Sequence, residues 1–366
     1  MQVTLGVEEE FLLVDSGSCE LVPRADLVFP RAREILDGAV ATELNLCQIE
    51  TDTRVCESLG DVRRELVRLR RGLAEAAAAE TTEIAATGTH PFSRWEDQQV
   101  DTSRRRYARM EEEYQLVARE QIICGCHVHV GLGDPEVVAV MQRTRPWLPI
   151  LLALSANSPF WQGEDTGYDS YRLQVWRRWP TAGMPPILSD RPEFDRLVEE
   201  MQSAGAISDP THLYWFVRPS ARFPTLEFRV CDVCLGVDDT VAVAGIVRAL
   251  AWTCAQEGPE APEAADDQRR EILNAAMWRA SRFGLGESLL HPVELEPRPA
   301  GEVVNFLLDS IRPGLEEHGD WDEVSSLTRR ILVDGNGASR QRSAFRDGDG
   351  KAVAAYVTRE TLPDPG

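Results

Sequence analysis

Three consecutive glutamates interrupt an otherwise apolar segment near the start of the chain. The segment TLGVEEEFLLV, residues 4–14, has the composition of a buried β-strand, yet Glu8, Glu9 and Glu10 lie in its middle. Glutamate is a poor strand former, and an ionised carboxylate is costly to bury without a partner. Successive side chains of a strand point to opposite faces, so Glu8 and Glu10 share one face and Glu9 lies on the other. Such a strand requires a polar site on one face and a basic or backbone partner for Glu9 behind it.

Two later segments repeat this alternation of polar and apolar side chains. In GCHVHVG, His127 and His129 share a face, and in TLEFRV, Glu227 and Arg229 share a face opposite three apolar residues. Each pair alone is also typical of a solvated strand face or a surface ion pair. If the three strands belong to one sheet, however, their polar pairs converge on one polar face.

The converging face contains several carboxylates, which repel one another unless a cation neutralises them. Glutamate oxygens combined with one or two imidazoles suit a hard cation, so Mg²⁺ or Mn²⁺ is the expected metal. Zinc prefers more His or Cys ligands, and the segments CGC and CDVC resemble zinc pairs. Strand alternation turns Cys124 and Cys126 away from His127 and His129. We therefore expect these two cysteines in the core and not at a metal.

The segment ELNLCQIET adds two further glutamates, Glu43 and Glu50. Their separation of seven positions is odd, so one uninterrupted strand cannot point both side chains to the same face. A bulge or bend between them is required before they can share a site. On the pattern alone, these two residues are weaker candidates.

The charge of the chain limits its partners. The formal net charge is −21, which repels phosphate backbones and anionic lipids and excludes nucleic acid and membrane surfaces as expected partners. The sequence contains no G-x-x-x-x-G-K-[ST] loop, no G-x-G-x-x-G after a strand and no G-x-S-x-G elbow. A small anionic substrate such as ATP would therefore depend on bound metal ions and local arginines.

The order of strand and helix patterns predicts the architecture. Strands and helices are mixed without a regular βαβ rhythm, which favours an α+β fold with a largely antiparallel sheet. A long helical pattern runs over residues 58–87, with Ser58 as its N-cap. The chain has 366 residues, 43% of them hydrophobic, which is enough for one large domain or two fused ones. We expect a single domain over residues 1–366.

The eight cysteines are scattered through a long chain, which indicates free thiols instead of a disulfide framework. No apolar run is long enough for a transmembrane helix, and no secretory pattern precedes the first strand. We therefore expect a soluble, cytoplasmic protein.

Several motifs together resemble one known family, the carboxylate–amine ligases of the glutamate–cysteine ligase type 2 group. The resemblance runs from the first strand to about residue 345 and depends on LGVEEEFLLVD, GCHVHVG, SANSPFWQGEDTGYDSYR, WRRWPTAG, VRPSARFPTLEFRVCDVC and GNGASRQR. It implies a glutamine-synthetase-like fold, in which a curved, mainly antiparallel sheet carries the site and helices back it.

The resemblance also implies roles for individual residues. In the wider superfamily, metal ligands come from four motifs: the G-x-E-x-E strand, a glutamate pair seven positions apart, the G-x-H motif and the E-x-R strand. These match Glu8, Glu10, Glu43, Glu50, His127 and Glu227 here. Arg229 matches the arginine of the E-x-R strand and is implied to be catalytic and to contact ATP. His129 falls where relatives carry other polar residues, so its role stays open.

The implied reaction is ATP- and Mg²⁺-dependent. A carboxylate, typically the γ-carboxylate of glutamate, attacks the γ-phosphate of ATP, and an amine, typically that of cysteine, captures the acyl phosphate. Phosphoryl transfer needs charge neutralisation and alignment more than covalent help, which fits these residues. A metal-dependent amide hydrolase, a ligase with another carboxylate and amine pair, and a weakly catalytic binding protein are the alternatives. The expected assembly is a homodimer or a larger homo-oligomer.

Five residues are candidates for substrate contacts. Tyr168, Tyr171 and Arg172 in DTGYDSYR are suited to binding the amino-acid substrate, although a structured surface loop explains them equally well. Arg340 and Arg342 in GNGASRQR are suited to binding phosphate, although arginines on a solvated helix are commoner.

Overall fold

The computed structural model describes residues 3–133, 136–256, 267–346 and 349–362. Its strands, in chain order, are β1 (Leu5–Asp15), β2 (Val40–Thr42), β3 (Gln48–Asp52), β4 (Thr82–Ala85), β5 (Gly125–Gly131), β6 (Phe160–Trp161), β7 (Glu164–Asp165), β8 (Val217–Pro219), β9 (Thr225–Asp232), β10 (Ser288–Leu290) and β11 (Pro297–Pro299). Its helices are α1 (Ala25–Ile35), α2 (Leu59–Ala78), α3 (Arg105–Tyr114), α4 (Leu116–Arg119), α5 (Val137–Thr144), α6 (Leu148–Ser155), α7 (Tyr171–Trp176), α8 (Arg191–Ser203), α9 (Val237–Gln256), α10 (Asp267–Phe283), α11 (Ala300–Glu317), α12 (Trp321–Asp334), α13 (Gly337–Arg346) and α14 (Gly350–Thr361). Among the described residues, none of these helices has both the length and the apolar character that a membrane span requires.

The main sheet is antiparallel at every pairing between its strands. Its strands follow the order β2-β3-β1-β5-β9-β8, and β4 pairs with the last residues of β1. The strand with the three glutamates is therefore central, with β3 and β5 as its neighbours. The helices pack mainly on one side, where α2, α6 and α9 contact β1, β9 and β5 respectively. The predicted α+β fold with a mainly antiparallel sheet is confirmed.

Helix α2 begins where the sequence predicts but ends earlier. Ser58 forms a capping box with Asp61, in which the Ser58 hydroxyl accepts from the Asp61 amide and the Asp61 carboxylate accepts from the Ser58 amide. The helical pattern predicted to continue to residue 87 stops at Ala78, and Thr81 has a left-handed backbone with φ of 52°. The following residues form β4 instead, because Thr82 and Ile84 are β-branched and pair with β1.

The back face of the sheet, defined as the face that carries Glu9, contains a fully buried ion pair. Glu9 and Arg70 of α2 are both 0% exposed and form a bidentate pair, with nitrogen–oxygen distances of 2.9 and 2.6 Å. The Thr240 hydroxyl of α9 donates to Glu9 at 2.7 Å. The remaining Arg70 donors bind the backbone carbonyls of Cys234, Leu235 and Thr361. Arg70 is the basic partner that the sequence requires for Glu9.

Replacing Arg70 by Met should destabilise the protein by about 3–5 kcal/mol, because it leaves the Glu9 carboxylate buried and unpaired. Arg54→Met is the control, because the exposed Arg54 side chain pairs with Glu65 of α2 at the protein surface. The free energy of unfolding of this variant should stay nearly unchanged. Urea denaturation of both variants measures the difference. Equal stability of Arg70→Met and the parent protein would show that the buried pair does not hold α2 to the sheet.

Candidate active site

A cavity of about 650 Å³ lies over the front face of the sheet, defined as the face that carries Glu8 and Glu10. Alternate residues of β1, β3, β5 and β9 point into it, as the strand period requires. The charged residues and histidines in its wall are Glu8, Glu10, Glu43, Glu50, Asp52, Arg104, Arg106, His127, His129, Arg172, Arg218, Arg222, Glu227 and Arg229. A cavity of this size suits a small-molecule ligand.

Glu8 connects the two histidines of β5. One Glu8 oxygen lies 3.0 Å from Nδ1 of His127, and the other lies 2.9 Å from Nε2 of His129. Burial alone would raise the pKa of Glu8, but the hydrogen bonds from both histidines hold it well below its usual value. Burial and the nearby Arg229 lower the pKa of His127, whereas the contact with Glu8 raises that of His129 against the effect of burial. His129 also contacts the Thr225 hydroxyl at 2.9 Å.

The carboxylates of β1, β3 and the preceding turn form a second group with few cationic partners. Burial raises the pKa of Glu10 and of Glu43. Burial and then the charges of four neighbouring acids raise the pKa of Glu50 well above its usual value. Burial and then Glu8 raise the pKa of Asp52 to about 6. Without a cation, these side chains therefore resist simultaneous ionisation at neutral pH.

A bend brings Glu43 and Glu50 into the same cavity. Strand β2 ends at Thr42, Glu43 follows it in the turn, and Glu50 lies within β3. The odd spacing in the sequence is therefore resolved by the interruption between two strands.

Glu227 differs from the other carboxylates because two arginines neutralise it. Arg218 of β8 forms a bidentate pair with Glu227, at 2.9 and 3.3 Å, and Arg229 contacts the same carboxylate. Although burial acts in the opposite direction, the charges of Arg229 and Arg218 lower the pKa of Glu227 strongly. Arg229 keeps its Nε without a partner among the described residues.

Overlapping groups of these side chains have the donor chemistry for cations. Within each group, one possible ligand atom per residue lies within 4.8 Å of the others. The groups are Glu8, His127 and Glu227; Glu10, Glu50 and His127; and Glu8, Glu50 and Asp52. Carboxylate oxygens with a single imidazole fit Mg²⁺ or Mn²⁺ better than zinc.

Eight of the twelve residues singled out from the sequence line the cavity, namely Glu8, Glu10, Glu43, Glu50, His127, Glu227, Arg229 and, from α7, Arg172. The structure does not bring Tyr168, Tyr171, Arg340 and Arg342 into the cavity wall.

Those four candidates contact one another, neighbouring helices or a neighbouring loop. Tyr168 accepts from the indole of Trp278 at 3.2 Å, and its ring lies 6.0 Å from that of Tyr171. Arg340 pairs with Asp239. Arg342 pairs with Asp165 at 2.9 Å and with Asp169 at 2.5 Å. Their substrate roles stay predictions to which this geometry adds no support.

Several cavity residues were missed in the sequence. Asp52 follows Glu50 at a spacing of two, so strand alternation would have found it. Arg218 had no comparable signal, because its role depends on β8 pairing with β9. The rim residues Arg104, Arg106 and Arg222 lie in or beside loops, where spacing predicts no direction.

Cys124 and Cys126 are buried and lie in the core clusters, as strand alternation predicts. Neither belongs to a group of possible metal ligands among the described residues. Burial raises the pKa of both thiols well above the usual value, so both stay protonated at neutral pH.

Comparison with known proteins identifies the family. Residues 4–359 match the family model of glutamate–cysteine ligase family 2. The chain belongs to this family. A protein of Rhodopirellula baltica provisionally named glutamate–cysteine ligase 2 is 40% identical over 98% of the chain and 97% of its own length. A protein of Frankia casuarinae provisionally named glutamate–cysteine ligase 2-2 is 44% identical over 99% of the chain, but the chain spans only 42% of that relative.

Solved structures of two ligases share the fold of this chain. The glutamate–cysteine ligase of Francisella tularensis, solved in complex with AMP, aligns with a TM-score of 0.75 at 13% identity, over 100% of this chain and 90% of that one. A bifunctional glutathione synthetase of Pasteurella multocida aligns with a TM-score of 0.74 at 16% identity, over 99% of this chain and 52% of that one. The resemblance inferred from the motifs is thereby confirmed at the level of family and fold.

Asp52 allows a test of the repulsion within the cavity. An aspartate titrates at pH ~4 in the unfolded chain, whereas the pKa of Asp52 in the folded protein is about 6. The folded protein therefore binds more protons between these two pH values, and its stability falls as pH rises through that window. Asp52→Asn should therefore make the metal-free protein more stable at pH 8, by about 1–3 kcal/mol, and bring no gain at pH ~4. Urea denaturation in EDTA at both pH values measures this.

The control is Asp309→Asn on the exposed surface of α11, which should change stability equally at both pH values. A metal-free Asp52→Asn protein less stable than its parent at pH 8 would contradict the repulsion described here.

Proposed function

We propose that the protein is an ATP- and Mg²⁺-dependent carboxylate–amine ligase that forms an amide through an acyl phosphate, with glutamate and cysteine as the first pair to test. The observation that supports this most directly is the convergence of Glu10, Glu43, Glu50 and Asp52 on one cavity that also contains arginines, where burial raises the pKa of all four carboxyl groups. Family membership and the AMP bound by the Francisella protein agree with a nucleotide substrate.

The front-face residues would hold the metal as follows. Glu8, Glu10, Glu50, Asp52, His127 and Glu227 would supply ligand atoms for Mg²⁺, and Glu43 would join them from the turn after β2. Bound Mg²⁺ would offset the charge of the triphosphate and of the surrounding carboxylates. The ion pair with Arg218 and Arg229 makes Glu227 the ligand that least needs a cation.

The chain's own residues then align the reactants. A substrate carboxylate oxygen attacks the γ-phosphorus of ATP and ADP leaves, after which the amine nitrogen attacks the acyl carbon, loses a proton and displaces phosphate. Arg229 is half-buried beside Trp176 and Glu227, with its Nε directed to no protein partner among the described residues. We assign it to stabilising the charge on the transferred phosphoryl group.

The reaction class is tested by incubating the protein with ATP, Mg²⁺ and a panel of amino acids and amines. Release of ADP and phosphate that requires both a carboxylate and an amine, with an amide detected by mass spectrometry, is the expected result. Amide cleavage without ATP would instead show a metal-dependent hydrolase. The cytoplasmic location, the homo-oligomeric state and the single domain over residues 1–366 stay predictions.

Glu10→Gln should abolish ATP turnover at saturating Mg²⁺ without unfolding the protein, since it removes one charge at constant volume. Glu83→Gln is the matched control, because Glu83 is an exposed glutamate of β4 in the same sheet, outside the cavity wall. Steady-state ATP turnover compares the two variants. Near-normal turnover of Glu10→Gln would exclude the proposed metal site.

Arg229→Lys should lower kcat by about 10²-fold or more, because lysine keeps the charge but loses the planar fork that aligns with phosphate oxygens. The KM for ATP should change less, since the carboxylate-bound metal still holds the phosphates. Arg279→Lys, on the surface of α10, is the control. An unchanged kcat together with an unchanged KM would reduce Arg229 to an ion-pair partner of Glu227.

A further inference from the structure

One buried carboxylate, that of Asp232, is held by residues of the motif SANSPFWQGEDTGYDSYR. Its side chain is 0% exposed and accepts from the Asn157 amide at 2.9 Å, the Ser158 hydroxyl at 2.7 Å and the Ser170 hydroxyl at 2.8 Å. The Arg172 guanidinium lies 3.8 Å from the same carboxylate. Such a buried, hydrogen-bonded carboxylate has a fixed position, which it can impose on a cationic neighbour.

A β-bulge places Asp232 where it can reach Arg172. Val128 pairs with Phe228, but Cys126 pairs with Cys231, so the register between β5 and β9 shifts by one residue. After this shift Asp232 lies opposite Gly125 of β5. Simple strand alternation from Arg229 would have placed Asp232 on the back face.

Helix α13 supports the same network. The Gln341 side chain donates to the Asn157 side-chain oxygen at 2.7 Å, and Asn157 donates to the carbonyls of Ala86 and Val233 at 2.9 and 2.8 Å. These side-chain hydrogen bonds fix the position of Asn157, whose backbone amide donates to Asp232. The motif GNGASRQR thus reaches the network around Asp232 through Gln341.

The Arg172 guanidinium is buried in the cavity wall and is poorly satisfied there. Arg172 is 3% exposed and lies 4.7 Å from the Trp176 ring centroid. Its hydrogen bonds to the carbonyls of Arg229 and Val230 are long, at 3.3 and 3.5 Å, and its Nε has no partner among the described residues. A buried cation usually has its donors satisfied, so this one is suited to an external acceptor.

Arg218 in the same wall provides the comparison. Its guanidinium pairs with both oxygens of Glu227 and donates to the carbonyls of Thr211 and Leu213 at 2.8 and 2.7 Å. Arg218 is therefore satisfied by the protein itself, whereas Arg172 retains donors for a ligand.

Gly125 makes room for the Arg172 guanidinium. A Cβ atom at position 125 would lie 2.2 Å from Nη2 of Arg172 and 2.9 Å from its Cζ. Any side chain there would displace the guanidinium while leaving the backbone of β5 able to pair. The Arg172 guanidinium occupies the space that a side chain at position 125 would need, which explains the glycine of the GCHVHVG motif.

From these contacts we infer that Arg172 binds an oxyanion carried by a substrate and that Asp232 is the residue that positions it. The inference rests on the proposed function, which supplies two such anions, the substrate carboxylate and the ATP phosphates. The planar fork of an arginine matches either group. Asp232 is fully buried and is assigned to act on the substrate through Arg172.

The test compares Arg172→Gln, Asp232→Asn and Gly125→Ala in the full chain. Each should raise one KM by about 10- to 100-fold, the effect of losing a charged hydrogen bond, with a smaller change in kcat. A raised KM for L-glutamate identifies the carboxylate as the bound anion, and a raised KM for ATP identifies a phosphate. The double variant Arg172→Gln/Asp232→Asn should be no worse than Arg172→Gln, because the two residues act through one contact.

Gly125→Ala keeps the test decisive if Asp232→Asn does not fold, since it moves the guanidinium without changing any charge. Gly301→Ala, at an open position of α11, and Arg279→Gln are the controls. Unchanged KM values in Arg172→Gln, or additive effects in the double variant, would overturn the inference.

Calorimetric titration with L-glutamate and with Mg²⁺–ADP separates this inference from the proposed function. If the parent protein binds either probe and the three variants lose that binding, Arg172 and Asp232 have the assigned roles even if no substrate pair is turned over. If the parent protein turns over ATP while the variants bind both probes normally, the function stands and the assignment of Arg172 and Asp232 is wrong.

Discussion

The buried ion pair between Glu9 and Arg70 determines which face of the central strand carries the site. A shift of β1 by one residue would bury Glu8 and Glu10 in the core and turn Glu9 into the cavity, so the pair fixes the register as well as the charge. Arg70 also donates to backbone carbonyls at the start of α9 and the end of α14, and Thr240 of α9 binds Glu9. One arginine thus holds three helices to the strand that supplies the front-face carboxylates.

The two faces of β1 treat their glutamates in opposite ways. Behind the sheet, every donor of Arg70 and both oxygens of Glu9 have partners, so the charges are balanced within the protein. On the front face, Glu50 and its acidic neighbours lack such balance, and their pKa values rise accordingly. The protein therefore keeps unbalanced negative charge on the front face of β1, where a bound cation would relieve the repulsion. On the back face the charges are already balanced.

Strand alternation predicted much of the site, because each front-face residue of β1, β5 and β9 is specified by a period of two. It could not settle Glu43 and Glu50, whose shared cavity depends on a turn, nor Asp232, whose face is changed by a bulge. Arg70 is distant in sequence from its partner Glu9, and Arg218 reaches Glu227 only because β8 pairs with β9. No local sequence pattern therefore predicts either partner. The alanine-rich sequence after Ser58 predicts a helix up to residue 87, and this pattern gives no sign of the short strand β4.

The burial of the cysteines has a consequence for the chemistry in which the protein would take part. The eight cysteines, all within the described residues, are buried and form no disulfide, and burial raises the pKa of Cys47 and Cys231 to about 12. Only a thiolate attacks a disulfide, so these side chains are inert toward mixed-disulfide formation. In a solution of small thiols and their oxidised forms, these two side chains would therefore stay unmodified as the redox state around the protein varies.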